Sequence, residues 1–193
     1  TFQPVVEYSI NMSDGVTAVS ESLRQQTYDT FAIHRPIEVI PNFIDFRDFQ
    51  KFNKDHFKKA LAPNGERILM HTSNFRKVKR IEDVVQVFAL VHQKIPAKLL
   101  LVGDGPERIK AEQLCRDLDL CDDIRFLGKQ DAIGELLAIA DLFLMPSEAE
   151  SFGLAALEAM ACEVPVVSSN AGGIHEVNIY AQTGYLSNVG DVE

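Results

Sequence analysis

From Arg67 onward, short apolar runs alternate with stretches in which apolar residues recur every three or four positions. A short continuous run reads as a buried strand and the longer spacing as one face of a helix, so the alternation predicts βα units on a parallel sheet. The first unit is Ile68-Leu69-Met70-His71-Thr72 and, after a basic loop, a stripe of Ile81, Val84, Val85, Phe88 and Val91. A strand at 98–102 and a helix at 106–118 form the second, with Pro106 at the first helical position, where its missing N–H costs nothing. Strands at 124–127, 142–145 and 164–168 follow, with helices at 133–140 and 153–161 and a short one opened by Gly172-Gly173. Ahead of them, residues 15–20 read as one more strand ending in a helix cap, 21–31 as its helix, and Val39-Ile40-Pro41-Asn42 as an extended connector, because proline turns the preceding residue away from helix.

Such a succession predicts an α/β fold, a Rossmann-like doubly wound parallel sheet, whose ligands bind in the crevice beyond the carboxyl ends of the strands. The loops that matter are then 73–80, 103–105, 128–131, 146–152 and 169–173.

Composition narrows the partners. The chain has 193 residues, 46% hydrophobic and 24% charged, enough for a real core. Lys and Arg total 19 against 28 Asp and Glu, a net charge of −9 that argues against nucleic acid or an anionic membrane. The three cysteines, Cys115, Cys121 and Cys162, contain no C-x-x-C pair and suit reduced thiols in the cytoplasm. No apolar run approaches the ~20 residues of a membrane span, and residues 1–11 lack a signal-peptide pattern. A start at Thr1 and an end at Gly190-Asp191-Val192-Glu193 without a capping element suggest a piece of something longer.

Within this acidic chain, four of the five residues Arg76-Lys77-Val78-Lys79-Arg80 are basic. They read either as an anion site, with Arg76 and Lys79 neutralising a phosphate, or as a solvated basic turn. In Pro146-Ser147-Glu148-Ala149-Glu150-Ser151-Phe152-Gly153, a strand ends in an acidic loop and Ser151-Phe152-Gly153 opens a helix whose free N–H groups suit a phosphate. Gly153 would allow close approach of a ligand to the backbone. The acids fit hydroxyls flanking that phosphate. Glu158, in an otherwise apolar helix, is either at the solvent edge or holds donors such as a vicinal diol. Gly172-Gly173 and Gly103-Asp104-Gly105-Pro106 read first as turns. The latter is not a G-x-G-x-x-G fingerprint, which disfavours a nicotinamide or flavin enzyme. The five histidines show no metal-ligand spacing, and no G-x-S-x-G occurs.

Together these residues resemble the carboxyl-terminal half of a GT-B glycosyltransferase of the retaining family GT4. Glu150 and Glu158 enclose seven residues, as in that family's E-x7-E motif, followed by Pro165-Val166-Val167 and Gly172-Gly173-x-x-Glu176. Pro41-Asn42-Phe43-Ile44-Asp45-Phe46 and the stretch from His71 to Arg80 resemble the subgroup that makes N-acetylglucosaminyl malate, an intermediate of bacillithiol. The resemblance implies transfer of a sugar from a UDP-sugar donor, there UDP-N-acetylglucosamine, to a small hydroxy acid, there L-malate, with retained configuration, the diphosphate's charge being stabilised without a metal or other cofactor. It further implies that Lys79 contacts the diphosphate, Glu158 the ribose, Glu150 the donor sugar, and backbone N–H groups around Ser151, Phe152, Gly153 and Leu154 the phosphate and sugar. The loop at Gly128 to Gln130 would face the uracil. Ser73-Asn74 stand where many members have Gly-Arg, so Asn74 joins the donor-binding set and Arg76 is expected to supply the missing charge. Glu163 replaces a common glycine at a position expected on the surface. Residues 1–38 would be the remnant of an acceptor-side domain and 39–193 the donor-binding domain, lacking its terminal helices. Competing readings are a UDP-sugar 2-epimerase of the same fold and a nucleotide-binding module without turnover.

Overall fold

The computed structural model describes residues 2–51 and 55–193; Thr1, the first residue of the expected remnant, lies outside them. Helix α1 (Gln3–Asn11), strand β1 (Val16–Ala18), helix α2 (Glu21–Thr30) and strand β2 (Ile37–Val39) precede α3 (Asp55–Leu61). The next elements alternate as foreseen: β3 (Arg67–Ser73), α4 (Ile81–His92), β4 (Ala97–Gly103), α5 (Arg108–Asp117), β5 (Ile124–Gly128), α6 (Ile133–Leu137), β6 (Leu142–Met145), α7 (Leu154–Ala161) and β7 (Val166–Ser169). A further strand that the sequence reading did not include, β8 (Gly184–Ser187), closes the series.

Six strands form one sheet in the order β5-β4-β3-β6-β7-β8, with every pairing parallel. The chain starts at the centre with β3, steps outward to β5, and returns to β6 on the other side. The strand order therefore reverses between β3 and β6, and the crevice of a doubly wound sheet opens there. β1 and β2 pair parallel in a small sheet of their own, Val16 with Ile37 and Ala18 with Val39.

Strand side chains alternate between faces, and both faces here are covered, which is why the strands read as continuous apolar runs. Ile68, Met70, Leu100, Val102 and Phe143 bury against Ala156 and Ala159 of α7. Leu69, Leu99, Leu101 and Leu144 bury on the other face with Val84, Val85 and Phe88 of α4 and Ala111 of α5.

Several boundaries differ from the sequence expectation. Helix α5 begins at Arg108 and not at Pro106, which sits in the turn before it. That turn is wedged against its neighbour: a Cβ on Gly105 would lie 2.0 Å from the Asn74 carbonyl oxygen. Helix α6 ends at Leu137, short of 140. The segment 39–42 expected as a connector begins with the last residue of β2. Helix α7 closes with the residue after its cap, Glu163, at φ 59 and with Val164 N–H on the Ala159 carbonyl, a left-handed ending that glycine adopts more readily. Glu163 is exposed, as expected.

Candidate functional site: a cleft at the strand-order reversal

The loop leaving β3 is shaped by two left-handed residues. Phe75 (φ 40) turns its ring into the core with no solvent exposure, and Arg80 (φ 50) ends a 3-10 turn at Lys77–Lys79 and starts α4. Arg80 Nε donates to Asp83 at 2.6 Å, which fixes that guanidinium on its own helix. The loop leaving β6 is tied to this turn by Glu148 N–H, which donates to the Val78 carbonyl at 2.8 Å. The two loops thus close on each other across the crevice.

Between them lies a cavity of about 420 Å³. Its wall includes Asn74 and Lys79 from one loop and Glu150, Ser151, Phe152, Gly153, Leu154 and Glu158 from the other loop and α7. Lys79 Nζ donates to Glu150 Oε1 at 2.5 Å, and the two side chains are only 22% and 11% exposed. Without a ligand, the cation and the carboxylate satisfy one another. Glu158 behaves differently. Its carboxylate has no hydrogen-bond or ion-pair partner among the described residues, and burial alone raises its pKa above the ordinary carboxylate value. A half-buried carboxylate without donors is under-solvated, and two hydroxyls at adjacent carbons would restore what burial removed.

Helix α7 has no side-chain cap, so its leading N–H groups face the same space as an anion-binding end. Its N-cap, Gly153, sits at φ 101, and a Cβ there would meet Ile174 Cδ1 at 2.4 Å. The backbone angle thus calls for glycine whatever ligand approaches, and any side chain there would also have to displace the Ile174 methyl.

The acidic loop is also braced from behind. Gly173 N–H donates to the Glu150 carbonyl at 2.7 Å, and a Cβ on Gly172 would lie 2.1 Å from that same carbonyl oxygen. The Ser20 hydroxyl donates to the Ser151 carbonyl at 2.6 Å while accepting Leu23 N–H as the N-cap of α2. Glu176 completes the joint by accepting the N–H groups of Glu21 and Ser22 at 2.9 and 2.8 Å. One helix start therefore holds both the acidic loop and the 3-10 helix Gly172–Glu176 in register.

Two buried polar groups complete the wall. His71 is fully enclosed, and burial lowers its pKa to about 4. Because the Leu144 carbonyl can only accept, the 2.8 Å contact requires a hydrogen on Nδ1, leaving Nε2 to accept the Ser73 hydroxyl at 2.9 Å. Ser147 Oγ, also fully buried, has no partner among the described residues.

Residues 52–193 match the family described as Glycosyl transferases group 1. The chain belongs to that family. It is 50% identical over 188 residues to the N-acetyl-alpha-D-glucosaminyl L-malate synthase of Bacillus anthracis, covering 97% of this chain and 49% of that protein. Among solved structures it is similar to the Anabaena protein HepE in complex with UDP and glucose (TM-score 0.90, 25% identity, 98% of this chain and 54% of that one). It is also similar to the sucrose-phosphate synthase of Thermosynechococcus elongatus (TM-score 0.87, 26% identity, 98% and 49%). These neighbours are GT-B glycosyltransferases, so the Rossmann-like sheet is the carboxyl-terminal domain type of that fold. The chain spans about half the length of the curated relatives it matches.

For a group 1 glycosyl transferase domain, the sequence-derived set divides cleanly. Lys79, Asn74, Glu150, Glu158 and residues 151–154 meet in one cavity. Arg76 does not line it: the residue is exposed at the start of the 3-10 turn, and Lys77 is exposed beside it, so one of the four neighbouring basic side chains reaches the cleft. Gly128 and Gln130 are also outside the wall. β5 is separated from β3 by β4, and two strand spacings amount to roughly 10 Å. Gln130 Nε2 instead donates to the Leu127 carbonyl at 2.7 Å. Sequence reasoning missed His71, Thr72, Ser147 and Asn42, all in the wall. A histidine inside an apolar strand and a serine two residues after the end of one were the signals available. No helix among the described residues is long and apolar enough to cross a membrane.

Proposed function

We propose that residues 39–193 bind the donor of a retaining glycosyl transfer, a UDP-sugar, and that the reaction joins N-acetylglucosamine to a small hydroxy acid such as L-malate. The observation that carries the donor reading is the unpartnered Glu158 carboxylate in the same cleft as the Lys79–Glu150 pair and the uncapped start of α7. In this reading Glu158 accepts both ribose hydroxyls and Lys79 turns from Glu150 to the diphosphate. The α7 N–H groups share the phosphate charge, and Glu150, released, accepts a hydroxyl of the sugar. As the glycosidic bond breaks, negative charge grows on the departing diphosphate, where a fixed cation and fixed dipoles stabilise it without reorganising. Arg76 and the Gly128–Gln130 loop take no part in this account. The donor is supported by the UDP complex of HepE, and the acceptor by the 50% identity to a malate-glycosylating synthase.

Calorimetry with UDP and with 2′-deoxy-UDP tests the donor site. Loss of one diol hydroxyl should weaken binding to the wild-type chain by about tenfold and have little effect on Glu158→Gln, whose deficit is already present. Equal affinity for both ligands in the wild type would reject the ribose role. Titrations in EDTA and in magnesium should agree if side chains and helix dipole carry the phosphate charge. For the acceptor, assay of the protein with UDP-N-acetylglucosamine against a panel of small hydroxy acids decides: a preference for anything other than malate overturns that assignment.

A further inference from the structure

At the edge of the sheet opposite the cleft, the turn from α5 to β5 brings two thiols together. Helix α5 ends with Leu118 as its cap and Asp119 in the left-handed conformation at φ 56. Asp119 N–H donates to the Arg116 carbonyl at 3.1 Å and Leu120 N–H to the Cys115 carbonyl at 3.0 Å, the paired bonds of a Schellman ending. This ending drops Leu120 into the core over Cys115 and delivers the next residue, Cys121, back alongside the last turn of the helix. Cys115 is 2% exposed and Cys121 lies at the surface. Their sulfurs are 3.0 Å apart, with the Cys115 thiol donating to Cys121. Burial first, and then that contact, push the Cys115 thiol up to about 12.

We propose that Cys115 and Cys121 are an oxidation site, a dithiol that a hydroperoxide converts to an intrachain disulfide. The exposed Cys121 sulfur attacks the peroxide. The O–O bond breaks, Cys121 becomes a sulfenic acid, and the remaining oxygen leaves as water or an alcohol. The Cys115 sulfur then attacks the sulfenic sulfur. The S–S bond forms, the S–O bond breaks, and the hydroxyl departs as water with the Cys115 hydrogen. Two thiols are oxidised by two electrons, and one peroxide is reduced. The turn already supplies the proximity, because its two backbone bonds fix the residues on which both sulfurs stand, so closing requires a movement of about 1 Å toward the ~2.05 Å of a disulfide. Cys162 is buried at the end of α7, remote from this turn, and serves as the internal control. All strands of the main sheet run parallel, so the start of β5 and the donor cleft lie at opposite ends of the sheet, and oxidation leaves the cleft untouched.

The reduced chain, treated with hydrogen peroxide and quenched, should lose 2 Da and fall from three titratable thiols to one under denaturing conditions. Trypsin cuts after Arg116, between the two cysteines, so the disulfide should hold peptides 111–116 and 117–125 together until a reductant separates them. Cys121→Ser should keep both remaining thiols through the same treatment, and UDP affinity should be unchanged within twofold by oxidation of the wild type. Survival of all three thiols overturns the proposal, as does a sulfinic or sulfonic acid at Cys121 with Cys115 still a thiol, or a disulfide-linked dimer. These outcomes do not depend on whether UDP is the ligand of the cleft. If UDP fails to bind the reduced chain while the disulfide forms, the donor reading fails and the oxidation site stands.

Discussion

The pairing of Lys79 with Glu150 makes opposite predictions for its two members. In the unliganded chain the bond is 2.5 Å long and both side chains are mostly buried, so each neutralises the other. If UDP draws Lys79 to its phosphates, binding gains a charge-assisted hydrogen bond and gives up part of this one. Lys79→Ala removes the gain. At about 1.5–3 kcal/mol for a hydrogen bond to a charged group, Kd for UDP should rise between roughly tenfold and a hundredfold. The truncation also leaves the Glu150 carboxylate beside the phosphates without its cation, which moves the result toward the upper end. Glu150→Gln removes the competitor instead. With only 22% and 11% of the two side chains exposed, the pair belongs at the upper end of the range for exposed pairs, about 1 kcal/mol, so UDP should bind about fivefold more tightly. The sugar-bearing donor should not share this benefit, because Glu150 is then missing as an acceptor for a sugar hydroxyl. Calorimetry with uridine, UDP and UDP-N-acetylglucosamine on wild type, the two single variants and the double variant measures each term. Uridine, which has no phosphate, should be indifferent to Lys79. The reasoning is refuted if Lys79→Ala binds UDP like the wild type, or if Glu150→Gln weakens UDP as severely as Lys79→Ala does.

Three further outcomes follow from neighbouring residues. Ser20→Ala removes an N-cap and the brace on the Ser151 carbonyl, so chemical denaturation should report about 0.5–2 kcal/mol lost, together with weaker UDP binding. Ser147→Ala deletes a buried hydroxyl without a partner, so the free chain should lose no stability, and any fall in UDP-sugar affinity would show that the ligand uses that hydroxyl. His71 titrates at about 4 when folded against an ordinary 6.5 when unfolded, so the unfolded chain binds the extra proton between those values. Stability should be full above pH 6.5 and fall by up to about 3 kcal/mol as pH drops through 6.5 toward 4; urea midpoints that stay flat across this window would reject a neutral, enclosed imidazole.

How much of the fold was legible depended on how far each element is buried. The central strands β3, β4 and β6 are covered on both faces, so their residues had to be apolar in unbroken runs, and α4 shows its stripe because only one side meets the sheet. Elements with little to bury left no such trace. Helix α1 has no buried residue, and its apolar side chains carry no pattern that a core would impose. β2 pairs over three residues and then runs into Pro41, so its pattern is too short to separate from a connector. β8 buries chiefly Gly184, whose place is dictated by a neighbour: a Cβ there would meet the Val166 carbonyl oxygen at 1.8 Å. A glycine demanded by contact across a sheet looks, in sequence, like any turn glycine.

The same distinction explains the site. Glu158 was legible because a carboxylate amid apolar helix residues demands a reason, and Glu150 because it stands in the acidic loop at the mouth of that helix; the structure brings both into one cleft with Lys79. Arg76 was chosen by charge and by closeness in sequence to Lys79, but it precedes the 3-10 turn with extended backbone (φ −86, ψ 158), and its side chain is exposed outside the cavity. Within that turn Lys79 faces the cleft and the exposed Lys77 does not. Gly128 and Gln130 were chosen as a loop beyond a strand end, which is necessary for a crevice residue and insufficient in a six-stranded sheet, where the order of strands decides which ends adjoin. That order depends on pairings between distant segments, and no local pattern encodes it. Ser20 shows the limit most clearly: as a helix cap it was readable from its own surroundings, whereas its hydroxyl's bond to Ser151 spans 131 residues of sequence and exists only once the sheet has brought α2 against the acidic loop. The groups that carry charge into the cleft were therefore visible as chemical anomalies, while the groups that hold them in place became visible only through the fold.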